Sequence, residues 1–171
     1  YKMATKTVGI LGGMGPEATA RFYLQIIKIW EEVNPRLRRG HRPSLLTYNL
    51  PIDYKVEASF IKGKANSEHK FLRCLIKGIR KLTSANVDFI VIPCNTVHVF
   101  IDRLRKHTQI PILSIIDETV EFIKEEGYRS VGLVATTKTV KSEIYSSAFK
   151  NHNVQLILPD SKTQRVITNV V

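Results

Sequence analysis

The sequence predicts an α/β protein of two pseudo-symmetric lobes, each a parallel sheet flanked by helices, with the second lobe reading as truncated. Three observations predict it. Short runs rich in Val, Ile and Leu alternate with longer amphipathic ones. Each short run spans four to six residues between Gly, Pro, Asn or Asp, as buried parallel strands do. A strand that ends in small residues before a helix occurs near the start and again past residue 112.

The elements follow in order. Thr7–Leu11 is a strand that runs into Gly12-Gly13-Met14-Gly15, and Pro16 opens the helix Glu17–Val33, a place where its missing donor costs nothing. Ser44–Asn49 is the second strand. Ser67–Ser84 is a helix whose apolar face runs through Phe71, Leu75, Ile79 and Leu82. Phe89–Ile92 is a strand that Pro93 ends, because proline cannot continue a central ladder. The helix Val97–His107 completes three strand–helix units of the N-terminal α/β lobe, taken as residues 1–111 with Cys94 in it, and the strand Ile110–Ser114 spans the cut near Ile112. Residues 112–171 then form a partial second lobe: helix Asp117–Glu126, strand Val131–Ala135, helix Val140–Phe149 and strand Val154–Leu158. Val166–Val171 reads as a helix cut short, without cap or closing Gly or Pro.

Composition limits the class. At 171 residues the chain buries about 70% of its unfolded surface and needs neither metal nor disulfide to fold. No apolar run reaches the ~18 residues of a membrane span, and none has signal-peptide flanks. Cys74 and Cys94 are too few for a disulfide framework, so a reducing cytoplasm is expected. The net charge of +11 comes from Arg36–Arg42, Lys55–Lys70, Arg73–Lys81, Arg103–Lys106 and Lys138–Lys150. These segments place their charge mostly on solvated helix faces, with no basic stripe interleaved with aromatics, so no nucleic-acid partner is expected and an anionic substrate fits. His41, His69, His107 and His152 form no i, i+4 pair with an acid, so no metal site is assigned.

The strongest local signal is Pro93-Cys94-Asn95-Thr96 followed by His98. It puts Cys94 at the carboxyl end of a strand and the amino end of a helix, the crevice where open α/β sheets bind ligands. Asn95 or Thr96 can cap that helix. The helix dipole is expected to favour a thiolate, drawing the thiol pKa from about 8.5 towards neutrality. The plainer alternative is a buried packing cysteine, which is the reading given to Cys74 in mid-helix. The Gly9–Glu17 turn lets backbone amides approach an anion, although its spacing fits neither a dinucleotide loop nor a phosphate loop, and a plain tight turn is the alternative. Ala135-Thr136-Thr137-Lys138-Thr139 offers hydroxyls and amides suited to a carboxylate, or simply a helix cap.

Together Gly9-Ile10-Leu11-Gly12-Gly13-Met14-Gly15-Pro16, Pro93-Cys94-Asn95-Thr96-Val97-His98 and Ala135-Thr136-Thr137-Lys138-Thr139 resemble, in order and spacing, the aspartate/glutamate racemase family. Ile112–Thr119 and Pro159-Asp160 with Gln164 look like its connecting segments. The resemblance implies a two-lobed racemase of aspartate or glutamate that uses no pyridoxal phosphate or other cofactor. Two thiols would face opposite sides of the substrate α-carbon. Cys94 would be the base of the first lobe, and Asn95, Thr96, Thr136 and Thr137 would hold the substrate's carboxylate or amino group. Gly13 and Met14 would shape the pocket. The partner implied is a small anionic amino acid, with a homodimer compatible with the family. The family's second cysteine lies in a Gly-Cys-Thr-Glu type motif towards its C-terminus, and the 171 residues end before such a motif; Cys74 lies on the wrong helix to replace it. In the loop after the second strand, where aspartate-specific members carry a basic residue, Lys55 is the only candidate. Two alternatives remain open: a single-cysteine decarboxylase or maleate isomerase of the same fold, and a non-catalytic binder of small carboxylates.

Overall fold

A computed structural model describes residues 6–33, 42–62, 64, 66–150 and 152–170. Arg36–His41 of the first basic stretch, and Val171, lie outside the described residues.

The first sheet has three parallel strands, with β1 (Thr7–Gly12) between β2 (Ser44–Asn49) and β3 (Phe89–Val91). Thr7 pairs with Ser44 and Gly12 with Asn49, while Val8–Ile10 run beside Phe89–Val91. Ile10 and Leu11 of the middle strand are fully buried, as a strand covered on both faces must be. Helix α1 (Pro16–Val33) follows the glycine turn, and α2 (Tyr54–Ile61) and α3 (Ser67–Ser84) pack together. Phe71, Leu75, Ile79 and Leu82 of α3 are buried as their spacing predicts. Gly78 permits this seat: a Cβ there would stand 2.5 Å from Leu11 Cδ1 and 2.7 Å from Leu50 Cδ2. Phe60 stacks on Phe71, and Phe100 lies tilted against both at the centre of the core.

The second sheet pairs β4 (Ser130–Gly132) with β5 (Gln155–Ile157), again parallel. Its helices are α5 (Ile115–Glu125), α6 (Thr137–Lys141), α7 (Ile144–Lys150) and α8 (Ser161–Val170). Ile116, Val120, Ile123, Tyr145 and Phe149 make a separate small core.

Four expectations need correction. Ile110–Ser114 does not form a strand; it makes one bridge, Ile112 to Ile90, because Pro111 has no amide to donate and Ser114 already caps α5 through Asp117. Val97–His107 is a 3-10 turn, Thr96–Phe100, followed by the short helix α4 (Ile101–Arg105). Val140–Phe149 is interrupted by Glu143, whose φ of 56° is left-handed. The last helix begins earlier than Val166, at Ser161, because the Asp160 carboxylate accepts the amides of Lys162 and Thr163.

Candidate active site

Cys94 lies just past β3, where Pro93 turns the chain out of the sheet. Its own amide donates back to Ile92 O at 2.7 Å, and the amides of Val97 and Thr96 point at the sulfur. These two donors favour the thiolate, yet the thiol pKa is raised above its ordinary value. Burial is the largest cause, opposed first by the Val97 amide; the charge of Glu57 adds to the rise and the Thr96 amide opposes it. The expected fall towards neutrality is therefore corrected. The segment after Cys94 is a five-residue 3-10 turn, too short for its dipole to outweigh desolvation. Cys74 sits partly buried in mid-α3 and lines no part of the cleft.

Cys94 opens into a cleft of about 620 Å³ between the two sheets. Met14, Asn95, Thr96 and Thr136 line the same cleft, so the structure brings these five candidates together. Gly13 and Thr137 are not among its lining residues. Gly13 adopts φ 95°, and a Cβ there would fall 2.9 Å from Leu50 N. Its amide donates to Thr19 Oγ1 at 3.1 Å, so that donor is taken within the turn and is not offered to an anion. Thr137 turns its hydroxyl to Thr168 of α8 at 2.7 Å.

Three hydroxyls close a ring across the cleft floor. Thr96 Oγ1 is 3.2 Å from Thr136 Oγ1 and 3.0 Å from Thr139 Oγ1, and the last two are 3.0 Å apart. Thr136 also caps α6, accepting the amide of Thr139 at 3.2 Å. Asn95 heads the 3-10 turn without capping it, since its side-chain oxygen instead accepts the Tyr145 hydroxyl from α7. That bond leaves the Asn95 NH2 group as the end available to the cleft. Burial raises the Tyr145 pKa, against a smaller lowering by a hydrogen bond with Thr119, which suits a phenol acting as donor.

His98 is 2% exposed and spends both ring nitrogens on structure. Nδ1 donates to Cys94 O at 2.8 Å and Nε2 accepts the amide of Ile115 at 3.1 Å, which fixes the neutral tautomer. Its pKa is lowered, chiefly by burial. Lys55 lines a different hollow beside Ser59 and Lys70.

Two cleft residues escaped sequence reasoning: Arg21 of α1 and Glu57 of α2 bring charge to the walls. Thr139, the last hydroxyl of the Ala135–Thr139 motif, completes the hydroxyl ring. Helix α2 was missed because Asn49–Glu57 reads as a loop around Pro51; its signal is Asp53, whose carboxylate caps Lys55 N at 2.7 Å, with Val56 and Phe60 at i, i+4 spacing behind it.

Comparison with known proteins bears on the family and the fold. Residues 11–171 match the sequence pattern of the Asp/Glu/Hydantoin racemase family. The broad specificity amino-acid racemase RacX of Bacillus subtilis is 28% identical over 159 residues, covering 93% of this chain and 67% of that protein. The glutamate racemase of Aquifex pyrophilus is 35% identical over 98 residues, covering 56% of this chain and 39% of that protein. Among solved structures, an aspartate racemase homologue from Pyrococcus horikoshii superposes with a TM-score of 0.78 at 26% identity, over 98% of this chain and 70% of that one. The aspartate racemase of Picrophilus torridus gives 0.73 at 28% identity, over 96% and 65%. The chain thus spans between 39% and 70% of the length of these relatives. With β1 in parallel register between β2 and β3 and a match that runs over residues 11–171, this chain belongs to the Asp/Glu/Hydantoin racemase family.

Proposed function

We propose that these residues serve amino-acid racemisation without a cofactor, with Cys94 moving the α-proton on one face of the substrate. The observation that carries this is the placement of the Cys94 sulfur at an open cleft, over the amides of Thr96 and Val97 and beside the free NH2 end of Asn95. The thiolate takes the α-proton and becomes S–H, while the electron pair left on carbon spreads into the carboxylate. Asn95 and the threonine hydroxyls stabilise the charge that develops there. Return of the proton from S–H to the same face restores the starting enantiomer.

Inversion needs a second proton carrier on the opposite face. Lys55, His98 and Tyr145 do not supply it: one lies elsewhere and the other two hold their donors in structural bonds. No Gly-Cys-Thr-Glu segment occurs among the 171 residues. In deuterated water this chain is therefore expected to exchange the α-proton of one enantiomer with retention of configuration, as followed by proton NMR. Cys94→Ser is expected to slow that exchange at least about 100-fold, the scale of a lost general base, and Cys74→Ala to leave it unchanged. Equal exchange in wild type and Cys94→Ser defeats the proposal. Decarboxylation of a malonate by the wild type, without α-proton exchange of any amino acid, would favour the lone-thiol decarboxylase instead.

A further inference from the structure

The cleft carries three charged side chains that the hydroxyl ring and the thiol leave unexplained. Arg21 and Glu17 stand on α1, and Glu57 faces them from α2 on the wall shared with Cys94. None of the three makes an ion pair among the described residues, whereas Glu68, Arg103, Arg105 and Lys138 outside the cleft are all paired. Glu57 is partly buried, and burial pushes its carboxyl up, the mark of an anion withdrawn from water without a counter-ion. Its charge reaches Cys94, so a thiolate formed there meets a second anion lining the same cleft. Two anions facing each other in a partly dry cleft are relieved by a cation between them.

We propose that Glu57 receives the ammonium group of the substrate, and that Glu57 and Arg21 together select zwitterionic α-amino acids with uncharged side chains over dicarboxylic ones. This rests on the racemase reading above and names its substrate class. Glu57 holds the ammonium, and Arg21 with the Asn95 NH2 group takes the α-carboxylate, since Arg21 is the one cation among the cleft-lining residues and Glu57 is the carboxylate whose charge reaches Cys94. The cleft holds two carboxylates against one guanidinium, so an extra side-chain carboxylate enters against the local balance of charge. The other lining residues are apolar, as Ile61, Ala18 and Val134 are, or uncharged polar groups, so no second cation meets such a group. A bound ammonium also offsets the repulsion between Glu57 and the thiolate, so the base is generated when the substrate arrives.

The test uses the 171-residue chain and measures iodoacetamide alkylation of Cys94 by mass spectrometry, with alanine, aspartate or propionate as protectant. Alanine is expected to protect Cys94 at lower concentration than aspartate, and propionate, lacking the ammonium, to protect poorly. Glu57→Gln should raise the half-protecting concentration of alanine about tenfold, the cost of one charge-assisted contact, and leave propionate unaffected or improved. In the free protein the same variant should move the alkylation pH profile of Cys94 to lower pH, which a purely structural role would not do. Should Glu57→Gln fold poorly, by circular dichroism, Glu57→Asp serves instead, with the loss of alanine protection expected to be partial. Aspartate protecting better than alanine, or alanine protecting Glu57→Gln as well as wild type, overturns this inference and leaves the racemase reading intact. Protection by propionate alone overturns both, in favour of a simple carboxylate binder.

Discussion

Around β1 the sheet is covered on both faces, and Ile10, Leu11, Leu75, Ile79 and Ile90 have no exposed surface. Around β4 and β5, runs of the same Val/Ile/Leu character leave Val134 72% and Ile157 53% exposed. A parallel strand hides its side chains only when neighbours stand on both sides and both faces. β1 has two partner strands and a close-packed helix, while β4 has one partner strand. Hydrophobic patterning therefore says which segments need cover, and the neighbours decide which receive it. The bonds joining the two regions are mostly polar: the hydroxyl ring, the Tyr145–Asn95 bond, the His98–Ile115 bond, and Lys138 placed over the Phe60 ring at 4.4 Å.

The contrast is broken most forcefully through the aromatic cores. Phe71→Ala empties the Phe60–Phe71–Phe100 cluster and is expected to cost about 3–5 kcal/mol, read from urea unfolding. Phe149→Ala is expected to act mainly on the smaller core, speeding amide exchange in β4 and β5 while the β1 amides keep their protection. If the two variants speed exchange equally everywhere, the regions unfold as one unit and the contrast has no energetic meaning.

A smaller effect comes from pH. The folded pKa of His98 lies below its unfolded value, so its neutral form is the one the fold stabilises. That stability is fully present above about 6.5, the ordinary histidine value, and is lost as pH falls from there through the folded pKa. Protonation puts a donor on both ring nitrogens and opposes the Ile115 amide, loosening the tie between the regions. One proton limits the slope to about 1.4 kcal/mol per pH unit. The His98 share is the difference between wild type and His98→Gln; no difference below pH 6.5 would contradict the assignment.

The smallest effect is at the surface of α5. Lys124 bonds Glu121 at 2.9 Å with both side chains well exposed. Lys124→Ala is expected to change stability by less than about 0.5 kcal/mol. A larger change in the same urea titration would mean that this helix carries more of the second region's stability than its exposure suggests.

What was legible in the sequence follows from length and redundancy. β2 and α3 were predicted to the residue, since the Leu45-Leu46 run of β2 ends at Asn49 and five turns of helix repeat the signal of α3. The two-turn α2 was not, with only Val56 and Phe60 to carry its period. The break at Glu143 was missed because no glycine marks it; a left-handed turn at a glutamate leaves no trace in residue type. At the site, Cys94, Asn95, Thr96, Met14 and Thr136 were found because each sits at the end of a recognisable strand or turn. Glu57 and Arg21 were not, because they meet the others only through folding across long stretches of chain. The direction of the Cys94 pKa was misjudged for a related reason: helix position can be read from sequence, and desolvation cannot.

The threonine ring has a consequence of its own. Each hydroxyl owns one proton, and three hydroxyls in a closed triangle satisfy one another by passing all three protons round in the same rotational sense. An incoming carboxylate that claims the proton of Thr96 removes one edge of that circuit, and the remaining hydroxyls must reverse or reseat theirs. Thr136 is held in place by the Thr139 amide, so the rearrangement falls on Thr139 and the first turn of α6. A bound carboxylate and the hydroxyl circuit thus compete for the same proton, and that competition is shared between the segment after β3 and the start of α6.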